Sequence, residues 1–415
     1  MGEGFKHFLE INFDEDTEVH RIFEEGLGPQ EICGQLALLY QTPVIPGETL
    51  LFFDEIQSCQ AALAKLRYFY EKYPELHLIA AGSLLEFALE EISSFGVGRI
   101  RSLFMYPFSF DEFLRALGDG MLVDAYRAAS PYAPLSAPVH GRLLNRLKLF
   151  FIVGGMPEAV AEYVRTGDLL QSGRVLNDLL TAFKADFAKY RKKIPALLLN
   201  EVFESVAHLA GGKFVYERAA VGSNHAQVKQ ALGLLLMAGL AHPVTHTAAN
   251  GLPLGAEINL KHRWIIPCDT GLFLHILGLG TETGNPAAEV LLADDVKLIN
   301  RGALAEIFVG LELLKAASCY TPRQLYCWHR AVSPGEKRQS NAQVDYLVQR
   351  GEKIIPIEVK AGTQGAMQSL RIFMADKKID TGVRTSMENF SAYGDIEVYP
   401  LYAIGNLGLL SSPAG

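Results

Sequence analysis

The chain has 415 residues, of which 49% are hydrophobic and 20% are charged, and its formal net charge is −8. This length exceeds that of one ordinary domain, and the composition is globular, which excludes disordered and fibrous classes. The negative net charge argues against a protein that coats DNA through a generally basic surface. No apolar run reaches about 18 residues and no signal-peptide pattern is present, so we expect a cytoplasmic protein without a membrane partner.

Residues 5–117 alternate between strand-like and helix-like segments. Strands separated by helices predict parallel crossovers and therefore an α/β sheet. The predicted strands are HFLEINF (7–13), TLLFFDE (49–55), HLIAAGS (77–83) and IRSLFMY (100–106), and the predicted helices are PQEICGQLALLY (29–40) and QAALAKLRYFYEKY (60–73).

Two adjacent carboxylates follow an apolar strand in the segment LLFFDEIQ, Leu50–Gln57. Asp54 and Glu55 are predicted at the carboxyl end of a buried strand, the edge at which open α/β sheets bind ligands. There, one carboxylate can hold Mg²⁺ on nucleotide phosphates and the next can orient the attacking water. Because the pattern is short, a strand that ends in two acidic turn residues is the alternative.

The order of several short motifs carries a family resemblance. FDEIQ, AAGSLLEF, GR, YPFSFDEFL and GGMPEAV follow one another along the chain, and this order resembles a family of bacterial and archaeal AAA+ ATPases with an uncharacterised C-terminal region. The resemblance implies an AAA+ sheet with ATP as cofactor. In it Asp54 would bind Mg²⁺, Glu55 would be the hydrolytic base and Ser83 the polar sensor. Arg99 would face phosphate, with a surface arginine in a turn as the alternative.

The sequence contains no phosphate loop of the form G-x-x-x-x-G-K-[ST], whose amides and lysine cradle nucleotide phosphates. Gly211-Gly212-Lys213 is followed by Phe214 and lacks the upstream glycine. The resemblance implies that this loop precedes the strand at 7–13, so we expect a truncated P-loop-type sheet. Either a longer start restores the loop or the protein does not use ATP, and we expect weak ATP binding by the 415-residue chain.

The middle of the chain is predicted to be helical. Residues 197–260 suit a winged-helix module, with a second helix within 223–244 and the polar segment 245–255 as its wing. Such a helix can place side chains into a DNA groove, here His225, Gln227 and Lys229. A structural lid or a protein-partner surface is the alternative, because the helix has only one lysine.

The segment NAQVDYLVQRGEKIIPIEVKAG (341–362) predicts a hairpin with QRGEK at its turn. Asp345 and Glu358 are equally far from the turn centre and should face each other, and Lys360 shares a face with Glu358. Pro356 cannot donate to a ladder, so its part of the strand should lie at an edge. A hairpin with a surface Glu–Lys pair is the alternative.

This pattern is the D…ExK arrangement of the restriction-endonuclease-like superfamily. In that superfamily the carboxylates bind a divalent cation, here Mg²⁺ or Mn²⁺, and the lysine helps to orient or activate the attacking water. A helix before the hairpin often supplies another acid, and the matching residue is Glu306 in GALAEIFVGLEL (302–313). We expect Glu306, Asp345 and Glu358 as metal ligands and Lys360 as the catalytic residue.

These patterns predict a multidomain α/β protein with two competing functions. The first is a DNA-linked AAA+ protein whose C-terminal module binds or cuts nucleic acid. The second is a non-catalytic scaffold that acts through a protein partner or a homo-oligomer. The predicted domains are an AAA+ domain (1–120), a helical lid (121–196), a winged-helix-like segment (197–260) and a restriction-endonuclease-like domain (261–415).

Overall fold

The computed structural model describes residues 4–82, 98–190, 194–279, 301–330, 341–363 and 365–409. The chain divides into two compact units, Met1–Leu103 and Phe104–Gly415. This division into compact units falls after Leu103, whereas the predicted AAA+ domain ends at residue 120. The helices of the described residues include none that is long and apolar enough to cross a membrane.

The first unit contains a three-stranded parallel sheet of order β1-β2-β3, as the alternation of strand and helix predicted. Buried aromatic rings form the centre of its core, where Phe53 makes edge contacts with Phe13, Phe23 and Phe69. Its elements are β1 (His7–Asn12), α1 (His20–Glu24), α2 (Pro29–Tyr40), β2 (Thr49–Asp54), α3 (Gln60–Lys72) and β3 (His77–Ala80).

The strand predicted over 100–106 is absent, because these residues join no sheet. The alternating apolar pattern there has no buried face: Leu103 is 55% exposed and Met105 is 84% exposed. The backbone N–H of Phe104 instead donates to the carbonyl of Cys319 at 2.8 Å. Residues 100–106 therefore have a strand-like sequence pattern but form an extended connection that leads into the second unit.

Helices open the second unit and then alternate with the strands of a large mixed sheet. Its helices are α4 (Phe110–Ala116), α5 (Gly120–Ala128), α6 (Ala137–Val153), α7 (Pro157–Thr166), α8 (Leu169–Asp186), α9 (Ala196–His208), α10 (Tyr216–Ala219), α11 (His225–Met237), α12 (Thr270–Ile276), α13 (Arg301–Lys315), α14 (Gln368–Lys377) and α15 (Asn406–Leu409).

Among the described residues, the sheet of the second unit has eight strands in the order β10-β11-β9-β8-β7-β6-β4-β5. Helix α13 is buried along most of its length. The strands are β4 (Ala241–Thr247), β5 (Ile258–Pro267), β6 (Leu325–Arg330), β7 (Ala342–Arg350), β8 (Lys353–Val359), β9 (Gly382–Ser386), β10 (Ser391–Tyr393) and β11 (Ile396–Pro400).

The segment predicted as a wing, 245–255, forms the end of β4 and the connection to β5, and the hairpin β4–β5 extends this sheet. Strand β4 pairs with β5 on one side and, in parallel, with β6 on the other. The predicted segments 121–196, 197–260 and 261–415 consequently belong to one compact unit. The physical reason is that β4 would otherwise leave its second row of backbone hydrogen-bonding groups unpaired.

Candidate functional site

The carboxylates predicted from the first unit lie at the carboxyl end of its parallel sheet. Asp54 is the last residue of β2, and Glu55 follows with a left-handed φ of 49°. The Asp54 carboxylate accepts the backbone N–H of Glu55 at 3.0 Å and the side-chain amide of Asn12 at 3.4 Å. Gln57 donates to the carboxylate of Glu55. Both acids therefore occupy the edge that ligands use in open α/β sheets.

The other two residues predicted for the nucleotide site are Ser83 and Arg99. Ser83 lies outside the described residues. Arg99 forms an ion pair with Glu71 in the last turn of α3, with both side chains partly exposed.

In the second unit, the hairpin β7–β8 has the predicted register. Tyr346 pairs with Ile357 and Leu347 with Pro356, and the same register continued by one residue sets Asp345 opposite Glu358. Pairing of β8 with β9 begins only at Ile357. Pro356 therefore lies where β8 is still an edge on that side, which is the placement its missing N–H requires.

A β-bulge in β7 orients Asp345. Tyr326 of β6 pairs with Leu347, but Trp328 pairs with Val344, so Asp345 and Tyr346 together lie opposite Cys327. A bulge of this kind turns a side chain away from strict alternation. The Tyr346 hydroxyl donates to the backbone carbonyl of Glu306 at 2.7 Å and so fastens α13 to the bulge.

The four residues predicted as one site come together electrostatically. Burial raises the pKa of Glu306 to about 7, with Lys360 lowering it and Glu358 raising it. Burial also raises the pKa of Asp345 well above its usual value, and Glu306 and Glu358 add to the shift. Because like charges raise one another's pKa only at close range, the three carboxylates lie close together, with Asp345 and Glu358 buried and Glu306 partly buried.

The hydrogen bonds of this cluster leave one oxygen unused. One Asp345 oxygen accepts the backbone N–H of Val359 at 2.8 Å, and Lys360 Nζ lies 2.7 Å from Glu358 Oε1. Glu358 Oε2 is buried with no hydrogen-bond partner among the described residues. Burial raises the pKa of Glu358, and the lysine opposes the shift.

A divalent cation would relieve the repulsion among these acids and give Glu358 Oε2 a partner, so the donor set fits a hard cation. As the side chains stand, however, no three His, Cys, Asp or Glu residues in the described part of the chain are arranged to hold a metal ion. Lys360 contacts Oε1 of Glu358 and leaves Oε2 open, so metal binding would require rotation of the surrounding acidic side chains toward Oε2.

The structure adds a residue that the sequence pattern did not single out. Arg384 of β9 is the register partner of Glu358 and is buried. Its Nη2 donates to the carbonyl of Thr363 at 2.6 Å, which holds the turn that follows Lys360. The signal in the sequence was weak, an arginine within an otherwise strand-like segment.

Comparisons with known proteins find family similarities over three parts of the chain. Residues 2–114 match the AAA domain family, residues 144–283 match a domain of unknown function (DUF8612), and residues 301–404 match another (DUF4143). No curated protein matches the chain.

Among solved structures, a Walker-type ATPase of Pyrococcus abyssi is similar at 16% identity and a TM-score of 0.40, covering 65% of this chain and 84% of that one. By the family matches, residues 2–114 are similar to the AAA domain family and residues 301–404 are similar to the DUF4143 family.

Proposed function

We propose that the second unit is a nucleic-acid-processing module whose acidic cluster uses Mg²⁺ or Mn²⁺ to cleave phosphodiester bonds. The observation that carries the proposal is the convergence of Glu306, Asp345 and Glu358 with Lys360, in a cluster where Asp345 and Glu358 are buried and the other two are partly buried. The restriction-endonuclease-like interpretation of residues 261–415 predicted this set.

Each residue has a role that follows from its chemistry. The carboxylates of Glu306, Asp345 and Glu358 would hold the cation through oxygen ligands. The cation would supply charge neutralisation at the phosphate and lower the pKa of water. Lys360, released from Glu358, would orient the attacking water. Arg384 and the Thr363 carbonyl keep the backbone after Lys360 in place.

A binding-only or scaffold function is the second candidate. The Lys360–Glu358 ion pair and the absence of a ready ligand set in the described residues favour it. In that case the buried charges serve recognition or structure, and the chain acts on DNA or a protein partner without chemistry. The exposed His225, Gln227 and Lys229 on α11 would then be a candidate DNA surface.

The test compares Mn²⁺-dependent cleavage of plasmid DNA by the full chain with that of Asp345→Ala and Lys360→Ala. Glu352→Gln, an exposed acid in the turn of the same hairpin, is the matched control. Cleavage that both alanine variants lose and the control keeps would support a nuclease. Mn²⁺-dependent thermal stabilisation without cleavage would support a binding module. A chain that Mn²⁺ neither stabilises nor activates would refute the metal site.

A further inference from the structure

Three histidine rings gather on neighbouring strands at one end of the eight-stranded sheet. His246 lies in β4, His262 in β5 and His329 in β6. The rings of His262 and His329 are stacked, with centroids 4.7 Å apart and planes 20° apart. The rings of His246 and His262 are 5.6 Å apart. No metal-ligating pattern appeared in the sequence around them.

An irregular ladder brings these residues together. The pairing of β4 with β5 jumps from Thr245 opposite Arg263 to His246 opposite Asn259, so three residues of β5, including His262, form a bulge. His329 pairs with Gln343, whose side chain lies 3.4 Å from the Asp345 carboxylate. The histidine cluster therefore adjoins the acidic cluster.

A glycine-rich turn with Lys213 adjoins both clusters. A Cβ on Gly211 would lie 4.0 Å from Glu306 Oε2. Two residues later, Lys213 is close enough to His262 to lower the pKa of that ring. The next backbone N–H, that of Phe214, donates to the carbonyl of Arg263 at 3.0 Å. This turn was unrelated to a phosphate loop in sequence, but it places a lysine beside the imidazoles.

The histidine cluster lacks a negative charge. Burial, His329, His246 and Lys213 together lower the pKa of His262 to about 4. Burial, His329 and Lys377 lower the pKa of His246, and the hydrogen bond between its Nε2 and the His329 carbonyl opposes them. No carboxylate is among these causes. His246 Nδ1 is buried with no hydrogen-bond partner among the described residues.

We propose that Lys213, His246, His262 and His329 form a phosphate-binding subsite beside the acidic cluster. The Lys213 ammonium and the ring N–H groups of His262 and His329 are donors suited to phosphate oxygens. His246 Nε2 already donates to the His329 carbonyl, so His246 Nδ1 becomes a donor only when that ring is protonated. Where the chain is described, these histidines are not arranged to hold a metal ion, which favours an anion over a cation. The identity of the ligand as a nucleic-acid strand rests on the proposed function, whereas phosphate binding itself does not require the metal site.

A bound phosphate has a predictable pH dependence. Its negative charge stabilises the protonated imidazoles and offsets the effect of Lys213 and Lys377, whose positive charges lower the histidine pKa values. Phosphate binding should therefore be accompanied by proton uptake at His246 and His262. Affinity for the phosphate dianion should rise as pH falls from 8 to 6, by up to about tenfold per pH unit for each proton that the protein takes up.

The test is an NMR titration of the histidine side chains of the full chain with inorganic phosphate, and then with a short single-stranded oligonucleotide. EDTA is present throughout, so that the result does not depend on metal. The variants are Lys213→Gln and His262→Gln. Lys353→Gln, which changes an exposed lysine at the turn end of β8, is the matched control. Fluorescence of Trp264 and Trp328 verifies folding of the second unit.

We expect phosphate to shift the resonances of the three histidines, and the Lys213 and His262 variants to bind at least about fivefold more weakly, as loss of a charged hydrogen bond implies. The Lys353 variant should bind as the wild type does. Binding of phosphate but not of the oligonucleotide would support the subsite and contradict a nucleic-acid ligand. Unshifted histidine resonances in the folded chain, or equal weakening by the Lys353 variant, would overturn the subsite.

Discussion

Glu312 accepts the backbone N–H of Phe110 with both carboxylate oxygens at 3.2 Å, although the two residues are 202 positions apart. Lys315 lies 3.5 Å from the same carboxylate and donates to the carbonyl of Phe108 at 2.9 Å. The Glu312 and Lys315 side chains are only 6% and 4% exposed. This buried pair fastens the YPFSF segment to α13, the helix that also carries Glu306.

Substitution Glu312→Ala should strongly destabilise the second unit, because it leaves the Lys315 ammonium buried without its carboxylate. We expect a loss of about 3–5 kcal/mol in the free energy of unfolding. Glu162→Ala removes an exposed ion pair with Arg165 and should change it by less than about 1 kcal/mol. Both tryptophans of the chain lie in the second unit, so denaturant unfolding followed by tryptophan fluorescence reports this unit. Equal effects of the two substitutions would contradict the structural role of the buried pair.

The effect of Glu306→Gln on the free energy of unfolding should become more favourable as pH rises. The pKa of Glu306 is raised from 4.5 to about 7, so the folded state binds more protons than the unfolded state between these values. The stability that this group contributes is present below about pH 4.5 and is lost as pH rises through 7. The difference in unfolding free energy between variant and wild type should therefore shift toward the variant by up to about 1.4 kcal/mol per pH unit.

The variant must be compared with wild type because buried histidines change the stability of both proteins with pH in the opposite direction to Glu306. Burial lowers the pKa of His242 to about 4, so its contribution to stability is gained as pH rises toward 6.5. This contribution is common to both proteins and cancels in the difference. A difference that stays constant between pH 5 and 8 would show that Glu306 has an ordinary pKa in the folded chain.

Two glycine-to-alanine substitutions should change the free energy of unfolding in opposite directions. A Cβ on Gly155 would lie 2.2 Å from the carbonyl oxygen of Phe108, so Gly155→Ala should lower the free energy of unfolding by at least about 2 kcal/mol through overpacking. Gly141 lies within α6, and among the described residues no atom of another element comes within 4 Å of the position that a Cβ would take there. Gly141→Ala should raise stability by about 0.5–1 kcal/mol, since alanine favours the helix. Tryptophan-monitored unfolding of both variants tests the pair, and a neutral Gly155→Ala would refute the close approach of Phe108.

The 415-residue chain should bind Mg–ATP weakly or not at all. The amides and lysine of a phosphate loop supply most contacts to nucleotide phosphates, and no such sequence occurs in this chain. Asp54 can reach phosphate only through Mg²⁺. Calorimetric titration with Mg–ATP measures the affinity, with Asp54→Ala as the variant. Micromolar binding that this substitution abolishes would contradict the prediction.

Local patterns in the sequence determined the alternating strands and helices of the first unit and the hairpin of the second. Helix α2 has the predicted bounds, Pro29–Tyr40, because its periodicity and its first-turn proline are properties of that segment alone. The register that sets Asp345 opposite Glu358 was predictable for the same reason, since it depends only on the distance of each residue from one turn.

Tertiary structure alone decided the features that join distant segments. These features depend on strand order and on hydrogen bonds between residues far apart in the chain. They are the pairing of β4 with β6, the bulge that orients Asp345, the hydrogen bond between Glu312 and Phe110 and the cluster of three histidines. Periodicity reports which face of an element is apolar, but it does not encode which other element covers that face. The predicted wing therefore became part of the sheet, because pairing with β6 satisfied backbone groups that a free hairpin would have left exposed.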